Sequence, residues 1–233
     1  WNLDALFVPQ DHPARELQDT LYLKDSVKDL PKELAKRVKE THETGWTTNS
    51  KGWNYSWDEN VAKQLLLRTH TTVLSAQTIS KLKESDLPAK FFNIGKVFRN
   101  ETLDWSHLFE FNQSEGIVVD ENVNFRNLLG YLKEFFKKMG FEKIRFLPSY
   151  YPYTEPSVDV VVFHPIKKKW LELGGAGIFR PEVVKPLLGK DIPVLAWGLG
   201  VERIVTMYYE ISDIRDLYKN DIKKLREFPL FLK

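Results

Sequence analysis

Between Lys90 and Trp197 six stretches carry strand composition: Lys90 to Glu101, Leu108 to Val119, Lys143 to Leu147, Val158 to Phe163, Lys169 to Leu173 and Pro193 to Trp197. Several of the links between them are short and turn-rich, and a parallel pair needs a crossover of a dozen residues or more. Those links leave too little chain for helical crossovers, which predicts a largely antiparallel sheet with helices packed outside it, an α+β domain. Between Asn122 and Gly140, Phe125, Leu128, Leu129, Leu132, Phe135, Phe136 and Met139 recur at three- and four-residue steps, and Gly140 stands where a helix would be capped. That segment is read as an amphipathic helix. At 233 residues, with 42% hydrophobic and 13% aromatic content, the chain can bury one sizeable core, and residues 1–233 are read as a single domain. Residues Glu40 to Asn60, rich in Thr, Gly, Asn and Ser with Trp46, Trp53, Tyr55 and Trp57 interspersed, read as a long surface insertion in preference to a substrate lid.

Charge narrows the partners. Lys plus Arg total 34 against 32 for Asp plus Glu, and a net charge of +2 leaves no footprint of a chain that holds nucleic acid by charge alone. No cysteine is present, so disulfides and thiolate metal sites are excluded. The longest apolar runs, such as Val160 to Phe163, are strand-length, and Trp1 to Gln10 lacks a basic-then-apolar signal layout, so a cytoplasmic protein is expected. The chain starts without an initiator Met and reads as a fragment, or as one whose beginning lies elsewhere.

Four constellations carry chemistry. In the first, a strand ends in Val97-Phe98-Arg99-Asn100-Glu101, a polar loop holding Asp104 and His107 follows, and the chain re-enters a strand near Phe109. Period-two geometry puts Phe109, Phe111, Gln113 and Glu115 on one face of that returning strand, an aromatic platform followed by an amide and a carboxylate. Burying Gln113 and Glu115 beside aromatics would cost several kcal/mol unless a cation or donor meets them. A ligand ammonium would do so, and so would a Lys or Arg of the same sheet.

The second is Ala196-Trp197-Gly198-Leu199-Gly200-Val201-Glu202-Arg203-Ile204, after a strand and opening an apolar helix. A dinucleotide fingerprint is a poor match, because Arg203 stands where the third glycine belongs. Either Arg203 projects from the first helical turn toward a phosphate, or the glycines cap a helix and the arginine lies on the surface. In the third, Leu66 to Thr72 with Ser75 and Gln77, His70 has neither metal-spaced ligands nor a triad partner and reads as structural. The fourth, Tyr150-Tyr151-Pro152-Tyr153-Thr154-Glu155-Pro156-Ser157, is held extended by two prolines, and its tyrosines either line a flat pocket or pack a turn.

Order and spacing together resemble one family. Arg99 with its loop and Phe111 resembles motif 2 of the class II aminoacyl-tRNA synthetases, and Gly198 to Arg203 resembles motif 3. Pro9-Gln10-Asp11-His12-Pro13-Ala14-Arg15 through Asp19-Thr20, Leu67 to Thr71, Phe111 to Gly116 and Tyr153 to Ser157 are similar to the alpha subunits of phenylalanyl-tRNA synthetases of the archaeal and eukaryotic cytosolic type. The likeness covers nearly all 233 residues. It implies activation of phenylalanine with ATP and Mg²⁺, then transfer to tRNA(Phe). It further implies a heterotetramer of two alpha and two beta subunits, with editing on beta.

On the matching positions, the resemblance implies that Arg99 contacts the α-phosphate, His107 the outer phosphates with Glu101 nearby, that Phe111 stacks on adenine, and that Arg203 holds the phosphates from the opposite side. Gln113 and Glu115 would receive the ammonium of phenylalanine, with His70, Thr72 and Ser75 near its polar end. Tyr151, Tyr153, Phe179, Ala196 and Gly198 would surround the ring, and Glu172 resembles the strand carboxylate that holds Mg²⁺. The motif 1 region, which precedes the equivalent of Trp1 in the family, is absent. Two rivals remain: a phosphoseryl-tRNA synthetase, whose pocket would offer small polar donors, and a non-catalytic paralogue that keeps the fold as a binding module.

Overall fold

A computed structural model describes residues 1–13, 15, 20–164 and 168–228. Ala14 and Asp19, part of the first resemblance segment, lie outside the described residues. The centre is a six-stranded, wholly antiparallel sheet built from β3 (Ala89–Phe98), β4 (Glu110–Val119), β5 (Ile144–Tyr151), β6 (Thr154–His164), β7 (Lys169–Phe179) and β8 (Val194–Gly200). Their spatial order is β3-β4-β8-β7-β6-β5. A separate ribbon pairs β1 (Tyr22–Ser26) with β2 (Gln64–Leu66). The helices are α1 (Lys32–Thr44), α2 (Glu59–Lys63), α3 (Thr72–Ile79), α4 (Phe125–Lys138), α5 (Pro181–Leu188), α6 (Val201–Tyr208) and α7 (Ile222–Glu227).

The two sheet faces have different jobs. Leu128, Leu132 and Phe136 of α4 pack on Val118, Val158, Val160, Val162, Leu195 and Leu199, a dry face that fixes the sheet. The α4 stripe is the one its apolar spacing predicts, and Asn124 caps the helix by accepting from Arg126 N and Asn127 N. On the opposite face Ile117, Val119, Phe179, Val194 and Ala196 pack against α3, α5 and the segment Leu3 to Val8. Toward the other end of that face the strands carry small or polar residues instead, and a cavity opens there.

Glu40 to Asn60 departs from the expected surface insertion. Its first part is the end of α1, which stops at Gly45 with φ +82°. The aromatics of the rest turn inward: Trp53 stacks on Phe7 and donates Nε1 to Phe7 O at 2.9 Å, while Trp57 donates to Asp4 Oδ1 at 2.9 Å. Tyr55 bonds the buried His42 ring at 3.0 Å. Their partners lie more than forty residues away, or across a helix end, which local composition does not show. This loop anchors the front segment of the chain into the core.

Candidate active site

Strand ends supply most of the cavity, which has a volume of about 290 Å³. The expected residues His70, Thr72, Arg99, Glu101, His107, Phe111, Gln113, Glu115, Tyr151, Tyr153, Glu172, Phe179, Ala196, Gly198 and Arg203 all line it. Ser75 is the exception: it lies behind Glu115 and not on the wall. Phe109 continues the alternation in sequence but sits just before β4 and is half exposed, away from the cavity.

On β4 the alternation turns Phe111, Gln113 and Glu115 into the cavity. Glu115 is fully buried, and the donors that meet it are hydroxyls: Ser75 Oγ at 2.6 Å, Thr72 Oγ1 at 2.7 Å and Thr71 Oγ1 at 3.2 Å. Gln113 Nε2 adds a long contact at 3.5 Å. An ion pair with a Lys or Arg of the sheet, one of the two alternatives for this residue, is not what holds it. Burial drives the Glu115 carboxyl up to about 7, and the hydroxyls only partly offset that. Hydroxyls share the charge without neutralising it.

His70 sits on the same wall, almost wholly buried, and among the described residues its ring nitrogens make no well-aligned hydrogen bond, the Asn2 backbone being the nearest polar group that acts on it. Burial, then the nearby Arg99 guanidinium, drives its pKa down to about 3, so the ring is neutral at physiological pH. Tyr153 stacks on Tyr151 with ring centres 6.0 Å apart and meets Phe179 edge-on at 6.3 Å. Two glycines make the floor between these walls. A Cβ on Gly175 would lie 2.3 Å from Tyr151 Oη, and one on Gly198 would lie 2.4 Å from Gln113 Nε2. Gly175 and Gly198 are themselves paired across β7 and β8.

At the other end Arg99 continues the β3 ladder, its N–H bonding Phe109 O at 3.0 Å. Its guanidinium lies 5.3 Å above the Phe111 ring, donates Nε to Thr69 O at 3.1 Å, and stands 3.8 Å from Glu101. Asp104 ties the intervening loop by accepting from Ser106 N, His107 N and His107 Nδ1, at 2.7, 2.7 and 3.0 Å. Arg203, in the first turn of α6, donates to Glu172 O at 3.1 Å. A one-residue register slip between Val160 and Val161 lets Leu173 pack toward α4 while Glu172 faces the cavity. Burial raises the Glu172 carboxyl pKa, the charge of Asp159 raises it further, and Arg203 and Arg99 lower it. The two arginines therefore face one cleft.

Sequence reasoning missed three supports. Thr71 as a donor to Glu115 was hidden because α3 meets β4 only in the fold. Glu202 accepts from Asn112 N at 2.8 Å, Asn112 Nδ2 at 2.7 Å and Tyr218 Oη at 2.5 Å, tying α6 to β4 beside Phe111. Asp159 accepts from Tyr151 Oη at 2.7 Å. Only Glu202 left a local trace, as the acid beside Arg203 in the glycine-rich turn.

A glycine-floored cleft on an antiparallel sheet, lined by two arginines and a buried carboxyl, has the architecture of class II synthetase cores. The family described as tRNA synthetases class II core domain (F) matches residues 1–228, and the chain belongs to it. The chain is 53% identical over 232 residues to a protein named Phenylalanine–tRNA ligase alpha subunit from Methanothermobacter thermautotrophicus, covering 99% of this chain and 44% of that one. It is 52% identical over 229 residues to the protein of the same name from Methanocaldococcus jannaschii, covering 97% of this chain and 46% of that one. The chain thus spans about half the length of the curated relatives it matches. Among solved structures, pyrrolysyl-tRNA synthetase from Desulfitobacterium hafniense superposes with a TM-score of 0.58 at 15% identity, covering 93% of this chain and 62% of that chain, a likeness of fold. Among the described residues no helix is long and apolar enough to cross a membrane.

Proposed function

We propose that this chain is the catalytic core that activates phenylalanine with ATP and passes it to tRNA(Phe), working in the cytoplasm with a beta subunit in a heterotetramer of two of each. The relatives' names support the substrate and the partner. The observation that carries the chemistry is Glu115, a buried carboxyl that hydroxyls meet and that no cation pairs with among the described residues, in a cavity also walled by Tyr151, Tyr153, Phe179 and Ala196. An amino acid's ammonium supplies the missing charge, and its ring enters the aromatic slot.

Adenylate formation needs no protein base, because the substrate carboxylate is already a nucleophile at neutral pH. The protein has to set the carboxylate in line with the α-phosphorus and offset charge on the phosphoryl group. In this reading Arg99 holds the α-phosphate, His107 the outer phosphates with Glu101 beside them, Phe111 carries the adenine, and Arg203 closes from the far side. Gln113 shares the ammonium with Glu115. Thr72 and Ser75 act through Glu115 by holding its oxygens, and His70 is a neutral neighbour of the amino acid's polar end. Gly198 leaves room for Gln113.

Mg²⁺ fits here through Glu172. Its carboxylate faces the cleft beside a second negative charge, Asp159, that a divalent cation would offset. Among the described residues no cluster of three or more metal-ligating side chains exists, which suits an ion held by one or two carboxylates plus substrate phosphates. When bound, the ion supplies charge cancellation on the phosphates. A phosphoseryl substrate is disfavoured because the slot's walls are aromatic and Tyr151's hydroxyl proton is already given to Asp159.

Amino-acid-dependent exchange of pyrophosphate into ATP, with the full-length chain and its partner, tests the reading. Phenylalanine-specific exchange is expected. Phosphoserine-specific exchange would move the chain to the rival substrate, and no exchange with any amino acid would make it a binding module.

A further inference from the structure

We infer that Asp159 is a positioning residue for the amino-acid slot, holding Tyr151 across the glycine floor so that the slot keeps the width of one aromatic ring. The inference rests on the reading that the slot takes phenylalanine. Asp159 is not on the cavity wall; Tyr151 is. On β6, Val158 and Val160 face α4, so alternation turns Asp159 to the cavity side, where it pairs in register with Gly175 of β7. Tyr151 leaves β5 at the tip of the β5–β6 hairpin, and its ring crosses Gly175 to place Oη 2.7 Å from Asp159 Oδ1.

Three constraints therefore meet on one ring. Tyr153 stacks against it, the missing Cβ of Gly175 admits its outer end, and the carboxylate fixes that end. The first two are contacts that tolerate sliding. The hydrogen bond to a carboxylate is the directional one, and bonds to charged acceptors are the stronger kind. Burial, then the Asp159 bond, raises the Tyr151 pKa, so the phenol stays a donor throughout the physiological range. Without the bond, stacking alone leaves the ring free to rotate about its side-chain torsions, and the slot loses its preformed width.

Through Tyr151, Asp159 acts first on the amino acid, although its charge also bears on Glu172; a larger effect on phenylalanine than on ATP separates this positioning role from a general structural one. In pyrophosphate exchange with the full-length protein and its partner, Asp159→Ala is expected to raise the KM for phenylalanine about tenfold, the loss of roughly one charge-assisted bond. The KM for ATP should move clearly less than the KM for phenylalanine. Asp159→Asn keeps an acceptor oxygen and should hold the phenylalanine KM within about twofold of wild type. In a Tyr151→Phe background, where the donor is gone, Asp159→Ala should have no further effect, because the two changes remove one interaction.

An unchanged phenylalanine KM in Asp159→Ala, a parallel rise for ATP, or full additivity with Tyr151→Phe would overturn the inference. Should Asp159→Ala not fold, Tyr151→Phe and Asp159→Asn test the same bond from its two ends. The former must raise the phenylalanine KM, and the latter must not. If the wild-type protein activates a different amino acid, the function fails separately, and the ratios are read on that amino acid. A wild-type protein that neither binds nor activates any amino acid overturns both.

Discussion

The two ends of the cleft are built on opposite physical plans. At the phosphate end, Arg99, His107 and Arg203 come from a strand terminus, a loop and a first helical turn, and they rest on backbone carbonyls or on the partly exposed acids Glu101 and Asp104. These side chains are partly exposed to solvent. In the other group, Glu115, His70 and Gln113 are nearly inaccessible, and among the described residues Glu115 is met by the neutral hydroxyls of Thr71, Thr72 and Ser75. Such an end is shielded from solvent, and its one carboxyl is held protonated to a higher pH than usual by burial. Under the proposed function the contrast means that recognition is divided: the amino acid would be selected by shape and one buried charge, and the nucleotide held by partly exposed, screenable side chains.

The division can be broken at the phosphate end first. Arg99→Ala should lower phenylalanine-dependent pyrophosphate exchange by about 10³-fold or more, the scale of losing a preorganised transition-state donor with its charge. Its melting temperature should move by no more than about 3 °C, since the side chain is partly exposed and contributes one hydrogen bond, to Thr69 O. A mutant with wild-type exchange would remove Arg99 from the mechanism.

At the dry end the expected effect is smaller and of opposite sign for stability. Folding raises the Glu115 pKa from 4.5 to about 7, so the folded chain holds that proton more tightly than the unfolded one. Stability is therefore lost as pH climbs through that window, fully above about 7 and not at all below about 4.5. Glu115→Gln carries no such charge. Without ligand it should be more stable than wild type at pH 8, by roughly 1–3 kcal/mol in denaturant titration, and the gain should vanish near pH 4.5. A variant less stable than wild type at pH 8 would show that the carboxylate is not strained there.

The smallest effect sharpens the contrast by salt. Raising ionic strength from about 0.05 to about 0.5 M should raise the KM for ATP several-fold and leave the Kd for phenylalanine within about twofold, because screening reaches exposed cations and not a buried carboxylate. Equal sensitivity of the two constants would erase the distinction.

How much of this was legible in the sequence depends on how far apart the interacting parts lie. The α4 stripe and its cap are local, and the spacing of Phe125 to Met139 shows them directly. The alternation Phe111, Gln113, Glu115 survives into the cleft because a strand's period is fixed by its backbone, and the short links foretell the antiparallel sheet. What meets Glu115 was not legible. Thr71, Thr72 and Ser75 arrive from some forty residues upstream, and read from the strand alone a lysine or arginine of the sheet was the favoured partner. The same holds for the loop carrying Trp53 and Trp57, polar by composition yet buried by contacts with Phe7 and Asp4, and for Asp159, one acid among many until Tyr151 reaches it. Glu172 needed a register slip, which period-two counting does not foresee.

Proton release on binding reaches the buried carboxylate most directly. With burial lifting the Glu115 carboxyl to about 7, capture of a fully charged ammonium should expel a measurable fraction of a proton per phenylalanine bound, read by calorimetry in buffers of different ionisation enthalpy. Glu115→Gln should bind more weakly and release none. Wild-type protein that binds phenylalanine equally tightly at pH 6 and pH 8, with no proton leaving, would contradict a carboxylate waiting for its cation.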